Sequence, residues 1–176
     1  MADDRELWSR ITNGDAEAFN GFYRENAPRL QAWLRQMVGD AQAAEDVAQE
    51  TFTQLWERPN GYEPERGTLR AYLFGMGRRR AADWWRRRHP EGEAAQDGGT
   101  PCRVELQSLV GDALGRLTEE QRTLLWLREV EGWSYAELAV TLEVPVGTVR
   151  SRLFAARQAL RAVWRGKREG DAYEVR

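Results

Sequence analysis

The 176-residue sequence contains a single cysteine, Cys102, and a single histidine, His89. One cysteine permits no internal disulfide, and the two residues together cannot supply the ligands of a structural zinc site. No apolar run approaches the roughly 18 residues that a membrane span needs, and the N-terminal MADDRELW lacks the basic and apolar regions of a signal peptide. The sequence therefore predicts a protein of the reducing cytoplasm without metal or direct membrane contact.

The sequence also lacks the alternation of apolar and polar residues that predicts a β-strand. It has no set of metal ligands and no Walker-type glycine loop, so it offers neither recognisable catalytic residues nor a cofactor site. Helix signals dominate instead. We therefore expect an all-α protein that is not an enzyme and binds no cofactor, built as one ordinary domain or two small ones.

The N-terminal half contains several helix boundaries. Asp15 is a suitable N-cap for a helix from about Ala16, and Pro28 is expected to restart this segment rather than lie inside a helix. Gly39 and Asp40 are expected to end it. Two further helices should follow, separated by a loop that is rich in turn-forming residues.

The first of these two helices should run from about 41 to 57, with one apolar side formed by Ala44, Val47, Ala48, Phe52 and Leu55. The second should begin after Thr68 and end near Pro90. Gly75 and Gly77 each cost a helix about 1 kcal/mol relative to Ala, which predicts a packing or functional reason for them.

The composition changes abruptly after this helix, where PEGEAAQDGGTPCRVE has few large apolar residues. Such a segment is typical of a flexible linker. We therefore predict an N-terminal domain at 1–89, an acidic linker at 90–108 and a C-terminal domain at 109–176. The linker should let the two domains move independently.

The C-terminal domain carries two capping-box sequences, TEEQ at 118–121 and SYAE at 134–137. Gly132 should end the first helix, and the EVP segment at 143–145 is a tight break before a long basic helix. A short helix, a tight turn and a longer helix form a helix-turn-helix pattern.

The long helix that starts at Val146 has three distinct faces at about 100° per residue. An apolar stripe should pack on the preceding helix and comprises Val146, Val149, Leu153 and Leu160. Small or hydrogen-bonding residues form the far face, which could enter a major groove: Gly147, Thr148, Ser151, Ala155 and Gln158. Arginines that could contact phosphates lie on the flanks: Arg150, Arg152, Arg157 and Arg161. A solvated basic face is the simpler interpretation of an isolated charge run, but the helix-turn-helix context favours DNA binding.

The formal charge of −2 hides a segregation of charge along the chain. Residues 144–168 contain seven basic residues and no acid, and 78–88 contain six arginines and one acid. Aromatic residues interrupt and flank the second cluster, namely Tyr72, Phe74, Trp84 and Trp85. They suit stacking on unpaired bases, although aromatic residues in a small helical domain are as commonly part of the core.

The segments AEDVAQETFTQLW, YLFGMGRRRAADWWRRR and LTEEQRTLLWLREVEGWSYAELAVTLEVPVGTVRSRLFAARQALR occur in this order, and together they resemble the extracytoplasmic-function (ECF) sigma factors of bacteria. The resemblance implies two helical domains and an initiation factor for promoter-specific transcription. It also implies three partners: the RNA polymerase core through its β′ and β subunits, promoter DNA, and an anti-sigma factor.

The same resemblance implies the site residues. Contacts to a β′ coiled coil would come from Asp46, Gln49, Glu50, Phe52 and Trp56, with Phe52 facing outward. The loop 58–67 and the helix after it would recognise and open the −10 element through Asn60, Tyr62, Tyr72, Arg78, Arg79, Arg80, Asp83, Trp84, Arg86 and Arg87. The helix-turn-helix would read the −35 element through Tyr135, Thr148, Arg150, Ser151, Arg152, Phe154 and Arg157. The chain departs from the family at Arg79, where an Asn is usual.

Two other functions are compatible with parts of the sequence. A homodimeric helix-turn-helix regulator could use GTVRSRL, but it would need a symmetric interface and would leave the acidic AEDVAQE face without a role. An enzyme acting on nucleic acid would need catalytic clusters that the sequence does not contain.

Overall fold

In the computed structural model, residues 4–59, 61–88 and 116–171 are described, with side chains to residue 165. They form seven α-helices and one π-helical turn, and no strand occurs among them: α1 Asp4–Thr12, α2 Ala16–Val38, α3 Ala41–Glu57, α4 Leu69–Arg88, α5 Glu119–Leu125, the π turn Trp126–Val130, α6 Tyr135–Leu142 and α7 Val146–Asp171. The prediction of an all-α fold is confirmed. Asn60, His89, Cys102 and the predicted linker lie outside the described residues.

Local signals determine the ends of α2 and α3 as predicted. The Asp15 carboxylate accepts hydrogen bonds from the backbone N–H groups of Glu17 and Ala18, both at 3.0 Å. Gly39 ends α2 with φ of 71°, a left-handed conformation that glycine adopts without steric cost. Asp40 then caps α3 by accepting from the Ala43 backbone N–H at 2.7 Å.

Two features of the N-terminal half differ from the sequence prediction. Pro28 lies inside a continuous α2 instead of restarting it. Proline removes one helical hydrogen bond, but Leu30, Trp33 and Leu34 directly after it are fully buried, and such tertiary packing outweighs local propensity. Helix α1 was not predicted at all, and only Ile11 in it is buried.

The core of the N-terminal half lies between α2, α3 and α4. Its largest fully buried side chains include Trp33, Leu55, Leu73 and Phe74. Gly77 explains how α4 approaches α2 so closely, because a Cβ atom there would lie 3.0 Å from Leu30 Cδ1. The predicted packing reason for a glycine in this helix is therefore found at Gly77.

Both capping boxes of the C-terminal half are confirmed. Thr118 accepts from the Gln121 backbone N–H at 3.3 Å, and Ser134 accepts from that of Glu137 at 3.2 Å. The break before α7 is built on Glu143, which is left-handed with φ of 57°. These local signals form the predicted helix-turn-helix.

Helix α7 packs on α5 and α6 through Val149, Leu153 and Ala156, all fully buried. Val146 is an exception to the predicted stripe, since 38% of it is exposed. It is the first residue of α7, so no preceding helical turn covers it.

The N-terminal and C-terminal halves of the described chain pack against each other. Helix α4 packs against α6, and the Thr141 hydroxyl donates to the Ala71 carbonyl at 3.0 Å from a fully buried position. The rings of Phe74 and Trp133, also fully buried, have centroids 4.9 Å apart. Apolar side chains of both halves therefore share one core in this structure, and the independent movement of the two domains stays a prediction.

The capping box of α5 provides a stability prediction. Replacing Thr118 by Ala removes the acceptor for the Gln121 N–H and should lower the free energy of unfolding by about 1 kcal/mol. Urea denaturation followed by circular dichroism measures this change. Thr53→Ala, at an exposed mid-helix position, is the control and should change stability by less than about 0.5 kcal/mol. Equal effects of the two substitutions would contradict the capping role.

Candidate functional site

The outer face of α3 consists of polar side chains around one exposed tryptophan. Asp46, Gln49 and Glu50 are exposed, and Trp56 is 37% exposed. Only one hydrogen bond within α3 reaches this group, from Gln42 Nε2 to Asp46 Oδ1 at 3.2 Å. We call these four residues, Asp46, Gln49, Glu50 and Trp56, the α3 outer face.

The prediction that Phe52 faces outward is wrong. Phe52 is 3% exposed and packs edge-to-face against Phe19, Phe22 and Tyr23, with ring centroids 4.7 to 6.4 Å apart. Its place on the apolar side of α3 follows from helical periodicity, which set it beside Ala48 and Leu55. Phe52 therefore supports the α3 outer face from within.

Arg80 of α4 reaches across to α3. Its Nη1 lies 2.6 Å from Glu50 Oε2, and its Nε and Nη2 donate to Gln54 Oε1 at 3.1 and 2.9 Å. A cleft runs along this junction and is lined by Asp46, Gln49, Glu50, Thr53, Gln54, Glu57, Arg58 and Arg80. Sequence reasoning placed Arg80 with the DNA-binding set and overlooked Gln54, although Gln54 lies one helical turn after Glu50.

Two of the tyrosines predicted to contact the −10 element are largely enclosed. Tyr62 is 8% exposed, and its hydroxyl donates to the Gly67 carbonyl at 2.9 Å. Tyr72 is half-buried, and this burial raises the pKa of its hydroxyl. The two rings lie 5.7 Å apart and brace the loop against the start of α4. Asn60 of this set lies outside the described residues.

The basic end of α4 is mostly exposed. Arg79, Arg86 and Arg87 are exposed, Arg78 is partly covered, and Arg86 pairs with Asp83 one turn before it. A surface pair of this kind contributes about 0 to 1 kcal/mol, so exchange of the carboxylate for a phosphate costs little.

The aromatic residues near this cluster divide into two groups. Phe74 belongs to the core, in contact with Trp33 and Trp133. Trp84 is half-buried beneath the Arg88 guanidinium, 4.4 Å from the ring centroid, and Trp85 donates from Nε1 to the Met37 carbonyl at 3.1 Å. Phe74 is therefore unable to stack on bases, whereas both tryptophans are partly exposed.

The outward face of α7 carries the side chains expected there. Gly147, Arg150, Ser151 and Ala155 are exposed, Thr148 is partly exposed, and Phe154 is 64% exposed. The Ser151 hydroxyl donates to the Thr148 carbonyl at 3.0 Å, and this weak local bond can be exchanged for another partner.

Carboxylates occupy the flanks of this face. Arg152 pairs with Glu120, and Arg157 donates to Glu129 from Nε at 3.1 Å and from Nη2 at 2.7 Å. The hydrogen bond to Glu129 raises the pKa of Arg157. Because these ion pairs are exposed, water screens them. They position Arg152 and Arg157 and can still be exchanged for contacts to phosphates.

Tyr135 joins α6 to this surface. Its ring lies 5.0 Å from the Arg128 guanidinium and 5.8 Å from that of Arg150. A half-buried tyrosine between two cations keeps Arg150 close to the start of α6. Of the predicted −35 residues, Tyr135 and Arg150 are therefore neighbours.

The comparisons with known proteins identify two domain families in the chain. The family model for sigma-70 region 2 matches residues 22–91, and that for sigma-70 region 4 matches residues 107–160. The ECF RNA polymerase sigma factor SigL of Mycobacterium tuberculosis is 34% identical over 157 residues, covering 84% of this chain and 89% of SigL.

Two solved structures are similar over most of their length. CnrH, solved in complex with the cytosolic domain of CnrY, has a TM-score of 0.73 at 27% identity, covering 93% of this chain and 98% of CnrH. The sigma factor RpoE of Bartonella quintana, solved with the anti-sigma factor NepR, has a TM-score of 0.68 at 24% identity, covering 85% of this chain and 98% of RpoE. At 24% identity, the similarity to RpoE is evidence only that the two chains share a fold.

A helix-turn-helix domain joined to a sigma-70 region 2 domain defines a sigma factor, a class of transcription initiation factor and not of enzyme. Within that class, this chain belongs to the ECF sigma factors. No helix in the described part of the chain is long and apolar enough to cross a membrane.

Proposed function

We propose that three surfaces of this sigma factor have separate binding roles in transcription initiation. The α3 outer face binds the RNA polymerase core, the basic end of α4 with the loop before it binds and opens the −10 element, and the outward face of α7 reads the −35 element. The main support is the sidedness of α3 and α7, whose polar faces are exposed while their opposite faces are buried in the core.

The α3 outer face has the chemistry of a protein-binding surface. Two carboxylates and an amide surround an exposed tryptophan, and Phe52 fixes their helix from beneath. Tryptophan is among the residues that contribute most to protein interfaces, and charged residues around it select the partner. A positively charged segment of the polymerase β′ subunit would complement this face.

The α4 and α7 surfaces have the chemistry of nucleic-acid binding. Six arginines at 78–88 and seven basic residues at 144–168 supply charge for phosphates. Trp84 and Trp85 are partly exposed and could stack on unpaired bases, whereas the small residues on α7 allow it to enter a duplex groove.

We also propose that an anti-sigma factor regulates this chain in the cytoplasm and that the chain itself catalyses no reaction. The support is the family, together with CnrH, whose structure was solved in complex with another protein, the cytosolic domain of CnrY. A protein that covers the α3 outer face would compete directly with the polymerase core.

Substitutions on α7 test the −35 assignment. Replacing Arg150 or Arg157 by Ala should weaken binding to all promoter sequences and lower the salt slope by about 1 each, because each change removes a phosphate contact. Replacing Thr148 or Ser151 by Ala should change the preference at one base position by about 1 to 3 kcal/mol. Holoenzyme binding to single-base promoter variants across a salt series measures both effects.

Arg24→Ala serves as the matched control, because Arg24 is exposed on α2, away from both proposed DNA-binding surfaces. Its salt slope should equal that of the unaltered chain. Four α7 variants that act alike on every promoter sequence would contradict the division into phosphate-binding flanks and a base-reading face.

A further inference from the structure

The interface between α4 and α6 has a buried centre. Thr141 is fully buried, and its hydroxyl donates to the Ala71 carbonyl at 3.0 Å. Beside it, Trp133 packs on Phe74, and the Arg70 guanidinium lies 5.1 Å from the Trp133 ring centroid. A buried hydrogen bond next to a buried aromatic pair marks a specific contact, since unpaired polar groups in such a place are costly.

Ion pairs between the two halves surround this centre: α4 supplies the cations of three of them, and Arg29 of α2 pairs with Glu131 at 3.9 Å. Arg70 pairs with Glu137 at 3.5 Å, and Arg78 Nη2 lies 3.7 Å from Glu143 Oε2. Arg79 also pairs with Glu143, while Arg78 Nε donates to the Thr141 carbonyl at 3.2 Å. Burial alone would raise the pKa of Glu137, but hydrogen bonds from Ser134 and the charge of Arg70 outweigh it and lower that pKa. Glu137 is therefore a carboxylate at neutral pH.

Glu143 has an unusual position for a residue with two cationic partners. It ends α6 in a left-handed conformation at the turn of the helix-turn-helix, and its side chain is 54% exposed. At this place the Glu143 carboxylate pairs with both Arg78 and Arg79. The two arginines are separated from Glu143 by more than 60 residues of sequence, so only the packing of α4 on α6 creates the site.

The geometry of promoter DNA requires this interface to open. The −35 and −10 elements are named for positions about 25 base pairs apart, which is roughly 85 Å of duplex at about 3.4 Å per base pair. Surfaces of α4 and α7 held together through α6 by contacts near 3 Å cannot occupy both elements.

We infer that the DNA-facing side of α4 is also a docking surface for α6 of the same chain, with Glu143 occupying the position of a phosphate between Arg78 and Arg79. We call these three residues the interdomain latch. In the latched state Glu143 competes with DNA phosphates for Arg78 and Arg79, and release frees both arginines together with the α6 side of α4. Arg79 gains a role that the Asn usual in the family could not fill, because a neutral amide forms no ion pair with Glu143. The masking of DNA binding rests on the proposed −10 role of α4, whereas the latch itself does not.

A distance measurement on the full chain tests the latch without any DNA. Spin labels at Gln42→Cys on α3 and Gln158→Cys on α7, both exposed positions, report the separation of the two halves once Cys102 is replaced by Ser. The unaltered latch should give one short distance at low salt. Glu143→Gln should increase the population of longer distances about two- to five-fold, as expected for loss of a surface ion pair, and Glu143→Arg should increase it further by repulsion.

Charge reversal makes this test independent of a folding defect. Arg79→Glu alone should also open the chain, and the double variant Arg79→Glu with Glu143→Arg should restore part of the short-distance population, because Arg78 still repels the introduced cation. Glu17→Gln removes one negative charge at an exposed position on α2 and is the matched control, with no change expected. Identical distances in Glu143→Gln, Glu143→Arg and the control, or no restoration in the double variant, would overturn the latch.

A DNA-binding measurement tests separately whether the interdomain latch lowers the affinity of the chain for DNA. Affinity for a forked oligonucleotide, measured without polymerase, should rise about two- to five-fold in Glu143→Gln beyond the rise caused by Glu17→Gln. If the distances lengthen but this affinity does not rise, the masking is overturned, and with it the assignment of Arg78 and Arg79 to DNA, while the interdomain latch stands.

Discussion

Replacing Asp46 and Gln49 together by Ala is expected to abolish assembly of this chain with the RNA polymerase core. Both side chains are exposed on the α3 outer face, one helical turn apart, and the described fold uses neither of them for packing. If both are hot-spot residues that contribute about 2 kcal/mol each, a loss of about 1,000-fold in affinity should follow. Competition binding with purified core polymerase measures the loss.

A matched double variant shows whether the effect belongs to this face. Glu17 and Asn20 on α2 are likewise an exposed acid and an exposed amide three residues apart. Their replacement by Ala should leave core binding unchanged. The Asp46 and Gln49 variant should also keep its helical circular dichroism and its melting temperature, and undiminished core binding by it would remove α3 as the polymerase-binding surface.

The parts of the fold that were predicted correctly depend on neighbouring residues in the sequence. Asp15, Thr118 and Ser134 satisfy backbone groups two or three residues away, and a left-handed glycine ends α2. The buried side of α3 likewise follows from a helical period. Such signals are contained in a few consecutive residues, so the sequence alone is sufficient to locate them.

The parts that were missed depend on tertiary packing. Pro28 is a helix breaker by local rules, yet α2 continues through it because the residues after it are buried. The pairing of Arg79 with Glu143 joins residues 64 positions apart, and Arg80 binds Gln54 and Glu50 of another helix. No periodicity connects such residues, so sequence reasoning identified the charges and not their partners.

Phe52 shows how the two kinds of signal conflict. The resemblance implied an outward contact, whereas the period of α3 placed it on the apolar side together with Leu55. The structure agrees with the period, since Phe52 is 3% exposed. A residue that matches a family motif therefore contributes to a binding surface either directly or by supporting the helix that carries it.

The free chain is expected to bind promoter duplex poorly at physiological salt and to bind it tightly once core polymerase is present. Each domain neutralises only a few phosphates, and counterion release from so few contacts gives little affinity. In the free chain Arg78 and Arg79 are also paired with Glu143. Core polymerase would hold the two DNA-binding surfaces at the spacing of the two elements, and joining two weak binding events in this way raises affinity by about 10²- to 10⁴-fold.

A gel shift and a permanganate footprint, each with and without core polymerase, measure this gain. Reactive thymines in the −10 element should appear only with polymerase, because Trp84 and Trp85 meet bases after the strands separate. The Asp46 and Gln49 double variant is the control and should gain nothing from the polymerase, while binding DNA by itself as weakly as the unaltered chain. Tight, sequence-specific binding by the free chain as a symmetric dimer would contradict the division into three surfaces and favour a homodimeric regulator, since two identical half-sites would then supply the affinity that this mechanism assigns to the polymerase.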